Sequence, residues 1–369
     1  MSKLRFFCMC LALCGACHTG AQEPAPTDAA LHASVAAPAA NATATGPVRS
    51  RISLDVLVTD KSGKPVGALE PPDFSILDNN QPRKVLSFRR TDGTLGNKFD
   101  PPVELIVLLD AVNMDYHGVT LMRLEVEKFL RQNDGHLALP TSMFVFTSEG
   151  LKIQPLPSKD GKSMATMLDQ TTGTVRAMGT AAGSIGQSEQ FLMSTQTLKG
   201  IADHEAVKPG RKMLVWIGSG WPLLAGRQFT QSNEGKQRHF DSIVEMSRKL
   251  REARITVNGI YTMTGAADKF LYQAYLKGVK TPKQADAGNL AMQVLATQTG
   301  GRVLEPSNDI AGQIAKALQD VGEYYTLVFE PPPAAEANEY HDLKVQLAQP
   351  GLTAHTSTGY YNQPRAQQQ

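Results

Sequence analysis

Cysteine is confined to the first 17 of the 369 residues, where it occurs four times. Every later position lacks a thiol, so the rest of the chain cannot form a disulfide or offer a cysteine ligand to zinc. The histidines are scattered and never stand at the spacing of a zinc-binding pair. These absences exclude a disulfide scaffold and a Cys/His metal site.

Blocks of like charge are also missing. The chain has 37 Lys and Arg against 35 Asp and Glu, a formal net charge of +2. Two of the basic residues, Lys3 and Arg5, precede residue 22, and no acidic residue does, so the remainder is formally neutral. The basic stripe typical of nucleic-acid binders is absent, and we expect no nucleic-acid partner.

The first 21 residues have the pattern of a secretory signal peptide. Lys3 and Arg5 form a basic start, residues 6–16 form a short apolar run, and residues 19–21 are small residues before a cut at Gln22. The apolar run is too short to cross about 30 Å of hydrocarbon, so we expect no membrane span. The segment predicts a secreted protein or one of the periplasm or cell envelope.

A lipid anchor is an alternative use of the same segment. Cys17 follows Gly15 and Ala16, which suits lipid attachment, whereas Cys14 stands where an aliphatic residue is usual. We therefore favour the signal peptide and keep lipidation at Cys17 as the alternative.

Composition divides the remainder into four parts around one long α/β segment. Residues 22–47 are rich in Ala, Pro and Thr, which predicts a flexible linker. Residues 48–95 contain short alternating runs separated by turns, which predicts an N-terminal β module resembling a small sandwich. Residues 332–361 predict a C-terminal β extension whose strands could pair with the N-terminal module, and residues 362–369 predict a disordered tail.

Between residues 103 and 331 apolar strand patterns alternate with helical ones. This alternation predicts an α/β fold with a doubly wound, mostly parallel sheet flanked by helices. Helices are expected over 118–132, 239–252 and 309–322, and long loops over 156–200. The expected strands are 104–110, 142–147, 212–218, 254–261 and 323–330, with the third and fourth of these central.

One carboxylate ends the first of these strands. Residues 105–109 are uninterrupted apolar residues, and Asp110 follows. Apolar runs of this kind are typical of strands buried on both faces. In open α/β sheets the carboxyl ends of the strands border the ligand-binding crevice, so Asp110 is expected there.

Several segments resemble bacterial secreted proteins related to the von Willebrand factor type A domain. Their order and spacing along the chain carry the resemblance, which spans roughly residues 50–361. The matching segments are residues 56–63, 73–78, 108–113, 295–302, 324–331 and 357–360. The resemblance implies a von Willebrand factor A-like α/β domain, a fold usually used for contact with proteins or matrix.

Domains of this family often bind Mg²⁺ through an Asp, two Ser, a Thr and a further Asp. Here Asp110 matches the first Asp, whereas Val112 and Met114 replace both hydroxyls. Residues 218–221, in the place of the last loop, contain no carboxylate. The threonine cannot be assigned, since four are available: Thr171, Thr172, Thr174 and Thr180.

Two interpretations of this degenerate metal site remain open. Asn113 and Asp115 could join Asp110 in a rearranged loop that binds Mg²⁺, which prefers oxygen ligands. Alternatively, Asp110 is structural, accepting backbone N–H bonds or capping the next helix. We favour the structural role and expect no cofactor, with Mg²⁺ as the alternative.

Ser219 and Trp221 are candidate residues of a binding rim. A nucleophile elbow would need glycine at 217 and 221, where this chain has Ile217 and Trp221, so the motif is absent. Trp221, if exposed beside Asp110, would suit a contact anchor; otherwise it packs under the loop.

Further along, Gly300 or Gly301 fits a helix C-cap with positive φ.

These features predict an exported, non-catalytic protein-binding or scaffolding module rather than an enzyme. The alternative is a divalent-metal-dependent adhesion domain built on Asp110, Asn113 and Asp115. A second alternative, a secreted α/β hydrolase, would depend on Ser219.

Overall fold

Three β-sheets and six α-helices make up the part of the chain that the structure, a computed structural model, describes. This part comprises residues 51–172, 183–221, 223–224, 232–261 and 271–364. All of it belongs to one compact unit, Arg49–Gln369. The predicted signal peptide and linker lie outside the described residues, as do Thr174, Thr180 and the last five residues of the predicted tail.

Fourteen strands are present in this part of the chain. In chain order they are β1 Ile52–Thr59, β2 Phe74–Asp78, β3 Gln81–Arg83, β4 Ser87–Asp92, β5 Glu104–Asp110, β6 His136–Thr147, β7 Gly150–Ile153, β8 Ser158–Asp160, β9 Lys212–Ile217, β10 Ile255–Ile260, β11 Glu323–Phe329, β12 Glu339–Leu347, β13 Thr353–His355 and β14 Gly359–Asn362. The helices are α1 Tyr116–Leu130, α2 Gly161–Thr172, α3 Gly183–Ala206, α4 Asn233–Glu252, α5 Met292–Gln298 and α6 Ile310–Leu318, with short 3₁₀ turns between them.

The central sheet has the strand order β10-β9-β5-β6-β7, with β8 also pairing with β6. Strands β10, β9, β5 and β6 run parallel, and β7 and β8 are antiparallel to β6. Every residue of β5, β9 and β10 is buried, which explains the uninterrupted apolar runs 105–109 in β5 and 213–217 in β9. The predicted mixed α/β class with a mostly parallel sheet is confirmed, while the von Willebrand factor A-like arrangement stays a prediction.

Strand β10 lies at an edge of this sheet rather than in its centre, contrary to expectation. Its exposed side is covered by the chain that follows α5. The Gly259 N–H donates to the Arg302 carbonyl at 2.9 Å, and the Leu304 N–H donates to the Gly259 carbonyl at 3.0 Å. Because this segment hides the edge, Ile255, Val257 and Ile260 of β10 are buried as they would be in a central strand.

Alternating residues of the central strands enter two hydrophobic cores, one on each face of the sheet. Ile106, Leu108 and Trp216 pack in one core with residues of α3, α4 and α5. Leu105 and Val107 pack in the other with residues of α1, α2 and α6. Helices therefore cover both faces and fix where the loops at the carboxyl ends of the strands lie.

Two smaller antiparallel sheets share a third core. Their strand orders are β13-β1-β11-β4 and β14-β12-β2-β3. Strands from residues 48–95 thus pair with strands from the C-terminal β extension, as the sequence suggested. Strand β11 was expected among the α/β strands; instead it pairs with β1 and β4 in an antiparallel sheet. Strand β14 runs through Asn362, so the chain is still ordered where the predicted tail begins.

Arg254 links the central sheet to the first of these smaller sheets. It lies just before β10, and its guanidinium donates to both carboxylate oxygens of Asp55 on β1, at 2.8 and 3.0 Å. It also donates to Asp100. Both carboxylates are largely buried. A two-pronged Arg–carboxylate pair fixes direction as well as distance, so it sets how the two sheets meet.

The loops expected over 156–200 are largely helical in the described residues. Helices α2 and α3 occupy most of this range. The buried side chains of α3 include Phe191, Leu198 and Ile201, and polar Ser194 is fully buried among them. Because small polar residues share the buried face with few large apolar ones, the helical period is weak in the sequence.

Candidate functional site

The Asp110 carboxylate, at the carboxyl end of β5, is fully buried and accepts four hydrogen bonds. The backbone N–H groups of Val112 and Asn113 donate to Oδ1, each at 3.0 Å. The side-chain amide of Asn113 donates to Oδ2 at 2.7 Å, and the Trp216 indole N–H on β9 donates to the same oxygen at 2.8 Å. The turn after β5 therefore folds around this carboxylate.

These four donors fill the acceptor capacity of the carboxylate. An ionised carboxylate offers about four lone-pair positions, two on each oxygen. Burial raises the pKa of Asp110, while the hydrogen bonds from Asn113, Trp216 and Val112 oppose that rise. All four donors point N–H hydrogens at oxygen, an arrangement that fits the ionised form. A cation could bind Asp110 directly only by displacing one of them.

Asn113 connects this turn to helix α3. Its side-chain amide also donates to the Ser194 hydroxyl at 2.9 Å, and Ser194 donates to the Gln190 carbonyl at 2.7 Å. Gln190 in turn donates its side-chain amide to the Val112 carbonyl at 3.1 Å. Within the described residues, Asn113 Oδ1 is buried and accepts no hydrogen bond. These bonds hold the turn against α3, and they leave the buried Asn113 Oδ1 unused.

Asp115 has a different role from Asp110. Its side chain accepts a 2.7 Å hydrogen bond from the Gly118 N–H and caps the start of α1, where it is solvent-exposed. Capping of this kind satisfies one of the free N–H groups at a helix start. The structure therefore brings Asp110 and Asn113 into contact and directs Asp115 to the helix.

The positions that would carry metal-binding hydroxyls belong to the hydrophobic core. Val112 is fully buried and Met114 is 4% exposed. Thr171 and Thr172 end α2. Across the described ranges, no group of three or more His, Cys, Asp or Glu side chains is arranged to hold a metal ion.

The loop after β9 begins against Asp110. A Cβ on Gly218 would lie 3.0 Å from the Asp110 Cβ, closer than side chains normally pack. Ser219 is partly exposed, whereas Trp221 is only 4% exposed. Trp221 packs edge-on against Trp216, with ring centroids 5.1 Å apart, and donates to the Leu290 carbonyl at 3.0 Å. Trp221 could serve as a contact anchor only if it were exposed, and its indole is instead buried in the core.

Two exposed apolar side chains border the same end of the sheet. Tyr116, the first residue of α1, is 73% exposed, and Ile185, near the start of α3, is 84% exposed. Sequence reasoning missed both. Tyr116 could have been found, because it lies off the apolar face that Val119, Met122 and Val126 define. We call residues 111–115 and 218–221, together with Tyr116 and Ile185, the rim.

Comparison with known proteins gives only distant similarities. No family model matches the sequence, and no curated protein matches it. Similar solved structures include the human COPII-coat protein Sec24c, with a TM-score of 0.37 and 10% identity over 79% of this chain. Proximal thread matrix protein 1 from the mussel byssus has a TM-score of 0.33 and 14% identity over 63%. The pilus adhesin SpaC from Lactobacillus rhamnosus GG has a TM-score of 0.33 and 9% identity over 81%.

This chain matches 49% of the length of each of these three structures. At such TM-scores the similarities carry no conclusion about family or activity. Separately, no helix in the described ranges is long and apolar enough to cross a membrane.

Proposed function

We propose that this protein is an exported, non-catalytic binding module that contacts a protein partner through the rim without a metal ion. The main observation behind the proposal is that the Asp110 carboxylate has no free acceptor position. Its four acceptor positions are filled by Val112, Asn113 and Trp216. A carboxylate in this state stabilises the rim, and the exposed side chains around it are the groups that contact a partner.

The exposed rim residues suit such contact. Tyr116 and Ile185 present large apolar surfaces to solvent. Tyrosine contributes area and a hydroxyl at low entropic cost and is enriched among energetically important interface residues. Each residue stands at the start of a helix packed against the central sheet, so both are held on rigid elements.

A metal-dependent adhesion site remains the second candidate, favoured by one observation. Asn113 Oδ1 is buried without a hydrogen-bond partner among the described residues, so one oxygen ligand is available. Recruiting Asp115 would remove the cap of α1, which costs about 1 kcal/mol. Mg²⁺ would also have to displace a donor from Asp110. Both costs favour the metal-free proposal.

Site-specific photo-crosslinking in the native envelope tests the proposal. A photoreactive amino acid replaces Tyr116 in one variant and Val207 in the control. Val207 is 86% exposed and follows the opposite end of α3, about 33 Å from Ile185 at 1.5 Å per helical residue. We expect a discrete protein adduct from position 116, unchanged by EDTA, and none from position 207.

Three outcomes would overturn the proposal. Absence of any protein adduct from position 116 would mean that the rim contacts no partner. Equal adducts from both positions would mean that contact is not specific to the rim. Loss of the position-116 adduct in EDTA, with restoration by Mg²⁺, would establish the metal-dependent alternative.

A further inference from the structure

A groove of about 550 Å³ lies between helices α3 and α4, next to the rim. Its volume is within the range of ligand-binding clefts. The Trp221 indole donates to the carbonyl of Leu290, one of the lining residues, so the groove adjoins the loop after β9. The described residues that line it include Phe191, Leu192, Lys199, Ser232, Arg238 and Leu290.

The described side chains that line the groove are basic or uncharged, and acidic residues lie just outside the lining. Among the described lining residues Lys199, Arg238 and His239 are basic, and none is acidic. Burial lowers the pKa of His239, although the charge of Asp286 opposes this, so the imidazole acts as a neutral polar group at pH 7. The positive charge therefore comes from Lys199, which also pairs with Glu245, and from the exposed Arg238.

The start of α4 adds to the same field. Ser232 lines the groove and caps this helix by accepting a 3.2 Å hydrogen bond from the Gly235 N–H. A helix of 20 residues carries partial positive charge at its first turn. Glu234 in the same first turn and Glu245 beside Lys199 offset part of this positive charge. The exposed Arg238 is therefore the group best placed to hold an anionic ligand at this end of the groove.

The groove also has apolar surface. Phe191 is 3% exposed and Leu290 is 2% exposed, so they form part of its floor. Leu192 is 55% exposed and stands at its edge. A free inorganic anion would leave this apolar surface exposed to water. A peptide can cover it with an apolar side chain and place a carboxylate next to it.

We infer that the groove between α3 and α4 binds an acidic segment of the partner protein, with a Glu or Asp carboxylate at Arg238 and a neighbouring apolar side chain against Phe191 and Leu192. The inference rests on the proposed protein-binding function and names the chemistry of the partner. Arg suits this role because its planar guanidinium can hold a carboxylate through two parallel hydrogen bonds.

The test is a fluorescence-anisotropy titration of the full chain into a labelled hexapeptide, Leu-Glu-Glu-Leu-Glu-Glu, at low and physiological salt. The comparison peptide carries Gln in place of each Glu. The variant is Arg238→Glu, and the matched control is Arg248→Glu on the same helix, where Arg248 is half exposed and pairs with Glu252 outside the groove. Both substitutions change charge equally at exposed positions, and circular dichroism checks their folding.

We expect the acidic peptide to bind and the Gln peptide to bind at least about tenfold more weakly. Arg238→Glu should weaken acidic-peptide binding by about tenfold or more, and Arg248→Glu by less than about twofold. Binding should weaken as salt rises. The inference is overturned if neither peptide binds, if both bind equally, if the two variants behave alike, or if inorganic phosphate displaces the peptide at equal concentration.

Failure here is separable from failure of the proposed function. If crosslinking at position 116 captures a partner and Arg238→Glu leaves peptide binding unchanged, only the groove assignment is wrong. If position 116 captures nothing and the acidic peptide still needs Arg238, the rim proposal is wrong and the groove assignment stands.

Discussion

The Trp216 indole N–H on β9 donates a 2.8 Å hydrogen bond to Asp110 Oδ2 at the end of the neighbouring strand β5. The indole thereby places a partially positive N–H group against the buried carboxylate. Trp216 is itself fully buried, so neither partner can exchange the other for water. The bond ties together two central strands and the loop after β5.

Asp110→Asn should destabilise the protein strongly. The new amide would direct N–H groups at one pair of the existing donors, for example those of Asn113 and Trp216, and would leave buried donors unsatisfied. Each unsatisfied buried group costs about 1–3 kcal/mol, so we expect a loss of about 2–5 kcal/mol in the free energy of unfolding, measured in urea. Asp115→Asn, which keeps a capping side chain, should change it by less than about 1 kcal/mol. Equal stability of the two variants would refute the structural role of Asp110.

Part of this site could be predicted from the sequence and part could not. The end of β5 at Asp110 followed from the apolar run before it, and a structural role for the carboxylate was the favoured interpretation. The donation from Trp216 was not foreseen, because it depends on the register between two strands more than 100 residues apart. Burial of Trp221 depends on the path of the following loop, which no local pattern encodes.

Gly300→Ala should destabilise the end of helix α5. Gly300 has φ +79°, a conformation that non-glycine residues adopt at a cost of about 1–2 kcal/mol. Its N–H donates to the Thr297 carbonyl and that of Gly301 to the Ala296 carbonyl, the two bonds of a Schellman motif. The predicted C-cap glycine is thus confirmed.

A Cβ at Gly300 would also lie 2.7 Å from the Thr356 backbone, so the total loss should exceed about 2 kcal/mol. Urea denaturation measures it. Gly200→Ala in α3, where a Cβ would meet no atom within 4 Å, is the matched control and should be neutral or stabilising. A loss of similar size at both glycines would show that neither the positive φ of Gly300 nor its contact with Thr356 causes the destabilisation.

Asp320 should make stability fall as pH rises from about 4 to about 6. Burial raises the pKa of its carboxyl from 3.8 to about 6, despite the opposing charges of Arg302 and Arg211. Between these values the folded state binds more protons than the unfolded state, so raising the pH favours unfolding. The pKa shift corresponds to about 3 kcal/mol of stability, and this contribution is fully lost once the pH exceeds the pKa of the folded state.

The measurement is the free energy of unfolding of the wild type minus that of Asp320→Asn, from pH 4 to pH 7. Subtraction removes carboxylates common to both proteins. We expect the difference to decline with pH. A difference that increases with pH would mean that the 2.7 Å ion pair with Arg302 outweighs burial.

The larger errors in predicting the fold have the same origin. Strand β11 has the apolar sequence of a parallel core strand, but its neighbours are β1 and β4, and one sequence does not specify partners so distant along the chain. Helix α3 was hidden because Ser194, which contacts the turn after β5, and the neighbouring Thr195 are polar and yet buried. In both cases tertiary contacts, rather than local periodicity, determined the element.

Calorimetric titration of Mg²⁺ and Mn²⁺ into the full chain, paired with thermal unfolding in each metal and in EDTA, tests whether Asp110 is closed to cations. Because the chain's own donors occupy Asp110, we predict no saturable heat and no shift in Tm. A saturable one-to-one isotherm with a matching rise in Tm, both abolished by Asp115→Asn, would show a cation held by the turn after β5 and would contradict the account.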